Sequence, residues 1–275
     1  MIEKITRKFG IIGLMMTSLM SITPEEAAAG GVPKLAPHRA VYDLTMDRVK
    51  EGGGVVDARG RIVMELKMSC DGYVTRQRTL IEIHNQDGRG VLSDFNLSTW
   101  ENFEGTSLRF TSQNTINGQL VEDTDGLATN TDSERKVTYR GEDAEEAELP
   151  EGVMFPGQHT EKVLDAARKG LPLLSAKIFD GTGMEALQDS LTVIGKSKAT
   201  PSAPVLESDM KGMKAWNVQM SFFNLEERGD EPDYSVHVNL YENGVGDNLL
   251  LNYNDFSLNG TLTQLELLDP PSCDN

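Results

Sequence analysis

The side chains able to do chemistry in this 275-residue chain are few and scattered, with only two cysteines and four histidines among them. Cys70 ends a strand-like run and Cys273 lies three residues from the last position. A redox pair would need Cys-x-x-Cys spacing, and a reactive thiolate a cationic neighbour, of which Lys67 is the only one near Cys70. In an oxidising compartment an even pair is expected to bond. His38, His84, His159 and His237 form no i,i+4 pair and no His-Glu-x-x-His, so a zinc site is not expected. Gly181-Thr182-Gly183-Met184-Glu185-Ala186 satisfies a Gly-x-Gly-x-x-Ala pattern, and a strand-like run (Leu173 to Phe179) precedes it. A dinucleotide site also needs a helix to follow, whereas Leu187 to Ile194 alternates like another strand, so a hairpin turn is expected. Gly52-Gly53-Gly54 lacks the Lys-Ser/Thr of a phosphate cradle and reads as a turn, and no Gly-x-Ser-x-Gly elbow occurs. Carboxylates abound, but spacing alone pairs no two of them for acid–base work. Trp100 and Trp216 suit a ligand groove or a core, and the core is the commoner fate. No residue is assigned a catalytic, cofactor-binding or metal role on these grounds, and any ligand-binding residues stay unknown.

Charge narrows the function further. Asp and Glu number 43 against 26 Lys and Arg, a formal charge of -17. Nucleic-acid binding needs a basic face, so it is not expected, and docking on anionic lipid is disfavoured for the same reason. Lys4, Arg7 and Lys8 precede an apolar run from Phe9 to Ile22, with Ala27-Ala28-Ala29 beyond it. This is the layout of a secretory signal peptide over residues 1–29, and the run falls short of the roughly 20 residues a membrane span needs. Cleavage near Ala29 and release into the periplasm, with no stable membrane anchor, are therefore expected. The leader is of bacterial type, so the sequons at Asn96 and Asn259 carry no weight.

The elements around these residues read mainly as strands. Ile62-Met64-Leu66-Met68, Trp216-Val218-Met220-Phe222 and Tyr234-Val236-Val238-Leu240 each alternate with polar residues, the mark of strands with one buried face. Weaker alternation predicts inward rows at Tyr42-Leu44-Met46, Thr79-Ile81-Ile83, Leu108-Phe110, Leu191-Val193 and Leu249-Leu251-Tyr253. Asn-Gly at 117, 243 and 259 and Asp-Gly at 71, 87, 125 and 180 are expected to mark turns, Asn117-Gly118 most clearly. Strands punctuated in this way make a large antiparallel sheet, curved or closed to hide its edges. One helix is predicted at about 159–169, with Thr160 as N-cap, Glu161 in the first turn, Val163, Leu164 and Ala167 on its apolar face, and Gly170 and Pro172 ending it. The acidic run at 142–151 and the proline-bearing stretch from Ala199 to Pro204 are expected to be exposed connections.

Several of these stretches, in order, resemble one family. Ala36-Pro37-His38-Arg39-Ala40-Val41-Tyr42-Asp43-Leu44 opens the mature domain. Phe155-Pro156-Gly157-Gln158-His159-Thr160 and Ala166-Ala167-Arg168-Lys169-Gly170 frame the helix. Lys177-Ile178-Phe179-Asp180-Gly181, Leu191-Thr192-Val193-Ile194-Gly195-Lys196 and the distant cysteine pair complete the set. Over residues 36–273 the chain resembles the EipB family of periplasmic cell-envelope integrity proteins of alphaproteobacteria, long described as being of unknown function. The resemblance implies one domain over 30–275, mainly β: a large antiparallel sheet wound as an open spiral or incomplete barrel, with one packed helix. It implies a disulfide between Cys70 and Cys273, and a role in envelope maintenance without known enzymatic activity; no cofactor is expected. The spiral is similar in shape to periplasmic carriers that hold acyl chains, so a periplasmic protein partner or a lipid-like ligand is the expected partner. The rival expectation is a hydrolase acting on an envelope polymer through carboxylates that the sequence does not pair.

Overall fold

Alternation translates into strands along most of the chain. The computed structural model describes residues 35–50, 54–141, 144–183, 186–198, 210–225 and 231–273. The predicted leader (1–29), Gly52-Gly53, Glu142-Asp143, Met184-Glu185 and the 199–204 stretch lie outside the described residues. Residues Val32–Asn275 cluster as one compact unit. In chain order the strands are β1 (His38–Val49), β2 (Val55–Met68), β3 (Gly72–Asn85), β4 (Gly90–Asn102), β5 (Ser107–Ile116), β6 (Gln119–Asn130), β7 (Arg135–Arg140), β8 (Glu146–Glu148) and β9 (Val153–Met154). The helix α1 (Pro156–Arg168) follows, then β10 (Leu173–Phe179), β11 (Leu187–Lys198), β12 (Ala215–Asn224), β13 (Tyr234–Tyr241), β14 (Gly246–Tyr253) and β15 (Phe256–Leu267).

All the strands belong to one 15-stranded sheet in the order β8-β7-β6-β5-β4-β3-β2-β1-β15-β14-β13-β12-β11-β10-β9. Each strand pairs with its sequence neighbour, except where β1 meets β15 antiparallel and joins the two ends of the meander. Among the described strands only β9 and β10 run parallel. The two edge strands, β8 and β9, are thus connected by residues 149–152 alone. Such a link reaches at most about 17 Å, whereas a flat sheet of this size would be about 67 Å wide. The sheet must therefore roll until its edges approach. Contacts between the two ends agree: the Phe110 and Phe179 rings lie 5.4 Å apart, and Ser112 Oγ donates to the Thr182 carbonyl at 2.9 Å. Asn130 Nδ2 likewise donates to the Val153 carbonyl at 2.9 Å. Among the described residues no ladder joins β8 to β9, so the sheet is unclosed. Register shifts in β1, β2, β5, β11 and β13 add the local bends that such curvature needs.

Three expectations need correction. The helix begins at Pro156, a turn before the predicted start, with Phe155 as N-cap; Thr160 lies inside it and its hydroxyl donates to the Pro156 carbonyl at 2.9 Å. Proline suits the first helical position because that N–H has no helical partner. Asp125-Gly126 and Asn259-Gly260 sit within β6 and β15, not at turns. There a Cβ on Gly126 would come 2.4 Å from Phe110 Cζ and one on Gly260 2.9 Å from Leu249 Cβ, so these glycines make room for packing. In β11, Leu191 and Val193 face outward, 40% and 43% exposed, while Ser190, Thr192 and Ile194 turn inward. Elsewhere the turn signals hold: Asn117 and Gly118 have φ of 52° and 78°, the left-handed pair that a tight hairpin requires. The helix ends as predicted, with the Gly170 N–H donating to Ala167 and the Leu171 N–H to Ala166 before Pro172.

Candidate functional site

Helix α1 packs Val163, Leu164, Ala166 and Ala167 against Tyr73, Trp216, Val218 and Leu240, filling one part of the inward face. Its N-terminus has no side-chain cap of its own. Glu101 on β4 supplies one across the fold: Gly157 N–H donates to Oε2 at 2.6 Å and Gln158 N–H to Oε1 at 2.8 Å. Glu101 is 4% exposed, and burial pushes its pKa up to about 7 despite those two donors, with nearby Glu161 adding a smaller push. Glu161 Oε1 accepts the Tyr73 hydroxyl at 2.7 Å. His159, one position past Gln158, is buried and held at a pKa of about 4 by its burial. These are the carboxylates that the fold brings together, yet both Glu101 oxygens are already occupied, which suits an anchor rather than an acid–base dyad.

Away from the helix the inward rows change character. Along β12, Trp216 and Val218 are buried while Met220 and Phe222 are half-buried; along β13, Val238 gives way to half-buried Val236 and Tyr234. Half-buried Gln77, Thr79, Phe95, Leu97 and Asn114 continue the inward face of β3, β4 and β5, and Tyr253 that of β14. The rows thus run from a dry core to a wall that solvent reaches. Phe222 stacks on Tyr234 with centroids 4.6 Å apart, and the Tyr234 hydroxyl donates to Gln188 Oε1 at 3.1 Å. Set into this wall are Ser190 Oγ, Thr192 Oγ1 and Asn114 Oδ1, buried atoms without a hydrogen-bond partner among the described residues. Ser190 is 2% exposed and Thr192 is wholly buried. Buried polar atoms are nearly always paired, and these three are exceptions on the inward face.

The turn after β10 enters the same interior. Thr182 donates to Asp180 Oδ1 through its N–H at 3.0 Å and its hydroxyl at 2.7 Å. Burial raises the Asp180 pKa against these contacts. Burial likewise lifts Tyr139 to about 12 and carries Tyr234 above the usual phenol range, and Asp180 adds to both. One carboxylate therefore faces two tyrosines inside the roll, where any charge is costly. Gly181 has φ of 74° and a Cβ there would lie 2.7 Å from Phe110 Cβ, so this turn accepts only glycine.

The residues singled out in the sequence mostly lie elsewhere. Cys70 and Cys273 are joined, with Cα atoms 5.6 Å apart across 203 residues, and they tie the tail after β15 to the β2–β3 turn. Trp216 is core, whereas Trp100 faces outward with its Nε1–H donating to Ser69 Oγ at 3.3 Å. His38 and His159 are buried and His84 lies 3.3 Å from Glu82 at the surface. Among the described residues no three His, Cys, Asp or Glu side chains converge as a metal site would require. Glu146 and Glu148 of the acidic run are exposed in β8, Glu146 paired with Lys136 at 2.8 Å. The sequence reading missed Glu101, Asp180, Ser190, Thr192 and Asn114. Glu101 carried a signal, since it shares a strand face with Leu97 and Thr99; the other four look like ordinary strand and turn residues.

Comparison with known proteins follows the same lines. Residues 29–269 match the family model described as EipB-like. The cell envelope integrity protein EipB of Brucella abortus (strain 2308) is 30% identical over 250 residues, covering 88% of this chain and 88% of that protein. A crystal structure from Brucella abortus, described as a β-barrel-like protein of a domain of unknown function, has a TM-score of 0.80 at 28% identity, covering 86% of this chain and 100% of that one. With that coverage, and a rolled sheet of the same kind, the chain belongs to the EipB-like family.

Proposed function

We propose that the protein works in the periplasm as a non-enzymatic binder that helps maintain the cell envelope, holding a lipid-like ligand against the inward face of its rolled sheet. The observation that carries this reading is the pairing of apolar and aromatic rows with the unpartnered buried groups of Ser190, Thr192 and Asn114. An apolar body with a polar head fits such a wall better than a purely polar substrate does. The envelope role follows the name of the Brucella relative, and the periplasmic location follows the leader-like start of the sequence. The rival reading, a hydrolase of an envelope polymer, would need a free carboxylate pair, and in the Glu101–Glu161 pair both Glu101 oxygens are tied to helix α1.

Protein purified from native periplasm and examined by native mass spectrometry tests the ligand. Acyl-bearing molecules should co-purify with the wild type and be depleted from a Ser190→Ala/Thr192→Val variant. Wild-type protein that carries no lipid, and instead co-purifies with a stoichiometric protein partner, would replace the ligand half of this reading. Failure of Glu101→Gln to rescue a deletion strain, in protein that remains folded, would favour the enzyme.

A further inference from the structure

The segment that forms the first five strands is charged very differently from the chain as a whole. Residues 35–116 carry 10 Lys and Arg against 11 Asp and Glu, while residues 117–275 carry 12 against 29. The acidity of the protein thus belongs almost wholly to the half from β6 onward. Within β1–β5 the cations are placed outward by strand alternation, and half of them are matched by cross-strand carboxylates. Arg61 pairs with Asp43 at 2.7 Å, Arg59 with Glu82 at 2.8 Å and Arg78 with Asp94 at 2.7 Å.

The matching then runs out. Arg76 stands directly across the ladder from Glu65, but Glu65 already pairs with both Arg39 and Lys67. On its other side Arg76 faces Ser98, which offers no charge. Arg109 lies over the Trp100 ring at 5.1 Å, a guanidinium stacked on an aromatic face. Neither Arg76 nor Arg109 has a carboxylate partner among the described residues. By ordinary strand spacing and rise their Cα atoms lie about 12 Å apart, two strands and two residues removed.

Beside Arg76 the same face holds a groove of about 460 Å³, where the apolar Val63 and the paired Glu65 lie beside Arg76, Arg78, Asn96 and Gln113. Its floor is the interior of the β2–β5 ladder, where backbone groups are already paired, so an added peptide strand finds no edge to extend. Recognition there falls to side chains: amides and hydroxyls that match the hydroxyls of a polyol, and spare guanidiniums that match carboxylates.

We propose that the outward face of β2–β5 is a docking surface for an anionic oligosaccharide, held by Arg76 and Arg109 at its charged groups and by the groove side chains at its hydroxyls. The site lies on the opposite face of the sheet from the inward wall and does not depend on what that wall holds.

Titration calorimetry of the full mature protein with oligogalacturonate at low salt tests it. Saturable binding is expected, weakened about tenfold in Arg76→Gln/Arg109→Gln, since each exposed charge contact contributes about 0.5 to 1 kcal/mol. Raising the salt severalfold should weaken wild-type binding, because these charges are exposed. Arg140→Gln, which removes an outward arginine paired with Asp125 on β7, should bind as the wild type does. Both variants should keep the wild-type melting temperature. Absence of binding, equal binding by the double variant, or equal loss in Arg140→Gln would overturn the proposal. So would equal or tighter binding of polyglutamate, of phosphatidylglycerol vesicles or of a neutral dextrin, each of which points to a different partner.

Discussion

Glu101 links β4 to the first turn of helix α1, and its burial gives this link a definite pH dependence. In the folded protein its pKa is about 7, against 4.5 for an unperturbed carboxyl. A raised pKa means that the folded state holds this proton where the unfolded state has released it. The contribution of Glu101 is therefore fully present below about pH 4.5 and is lost as pH rises to about 7. The size of the loss is about 3 kcal/mol, at 1.36 kcal/mol per pKa unit. The charged group that acts on Glu101 is Glu161, which bonds Tyr73. His159 runs the other way: with a folded pKa of about 4 against 6.5, it costs stability as pH falls from 6.5 towards 4. In the wild type the two effects oppose each other across the mildly acidic range and flatten the profile. Glu101→Gln removes one of them. Urea unfolding at steps from about pH 4 to about pH 8 should show the wild-type advantage over Glu101→Gln shrinking by about 3 kcal/mol as pH rises, while the variant alone loses stability steeply below about pH 6.5. A difference between the two proteins that stays constant, or widens with rising pH, would refute the assignment of a buried anchor whose pKa is raised.

Three other outcomes are expected. Cys70→Ser and Cys273→Ser should each lower stability by about 3 to 5 kcal/mol, or about 10 °C in Tm, with the double variant no worse than either, because one bond closes a loop of 203 residues; limited proteolysis should then cut β15 first. Thr192→Val should raise stability by about 1 kcal/mol, read by urea unfolding of delipidated protein, since it replaces a buried hydroxyl without a partner by a methyl of similar shape. Gly181→Ala should cost about 3 kcal/mol by the same measurement, because its backbone is left-handed and the new methyl would meet Phe110.

Local order along this chain was legible because it depends on neighbours in sequence. Period-two alternation marked the inward rows of β2, β12 and β13, Asn117-Gly118 marked the β5–β6 hairpin, and Gly170 with Pro172 marked the end of the one helix described. The cysteine count and the leader-like start pointed to a bonded pair, and the resemblance to one family extended this to a rolled sheet. What the tertiary structure decided is whatever depends on residues far apart. The helix starts at Pro156 because a carboxylate 56 residues earlier meets its amides. Asp125-Gly126 stays in a strand because Phe110 of the next strand fills the space a side chain would take. Ser190 and Thr192 turn inward, against the apolar alternation of Leu191 and Val193, since the buried face of β11 is set by its register with Phe222 and Met220 on β12. Alternation fixes the period of a strand but not its phase, and the phase is settled only when one face has something to cover it.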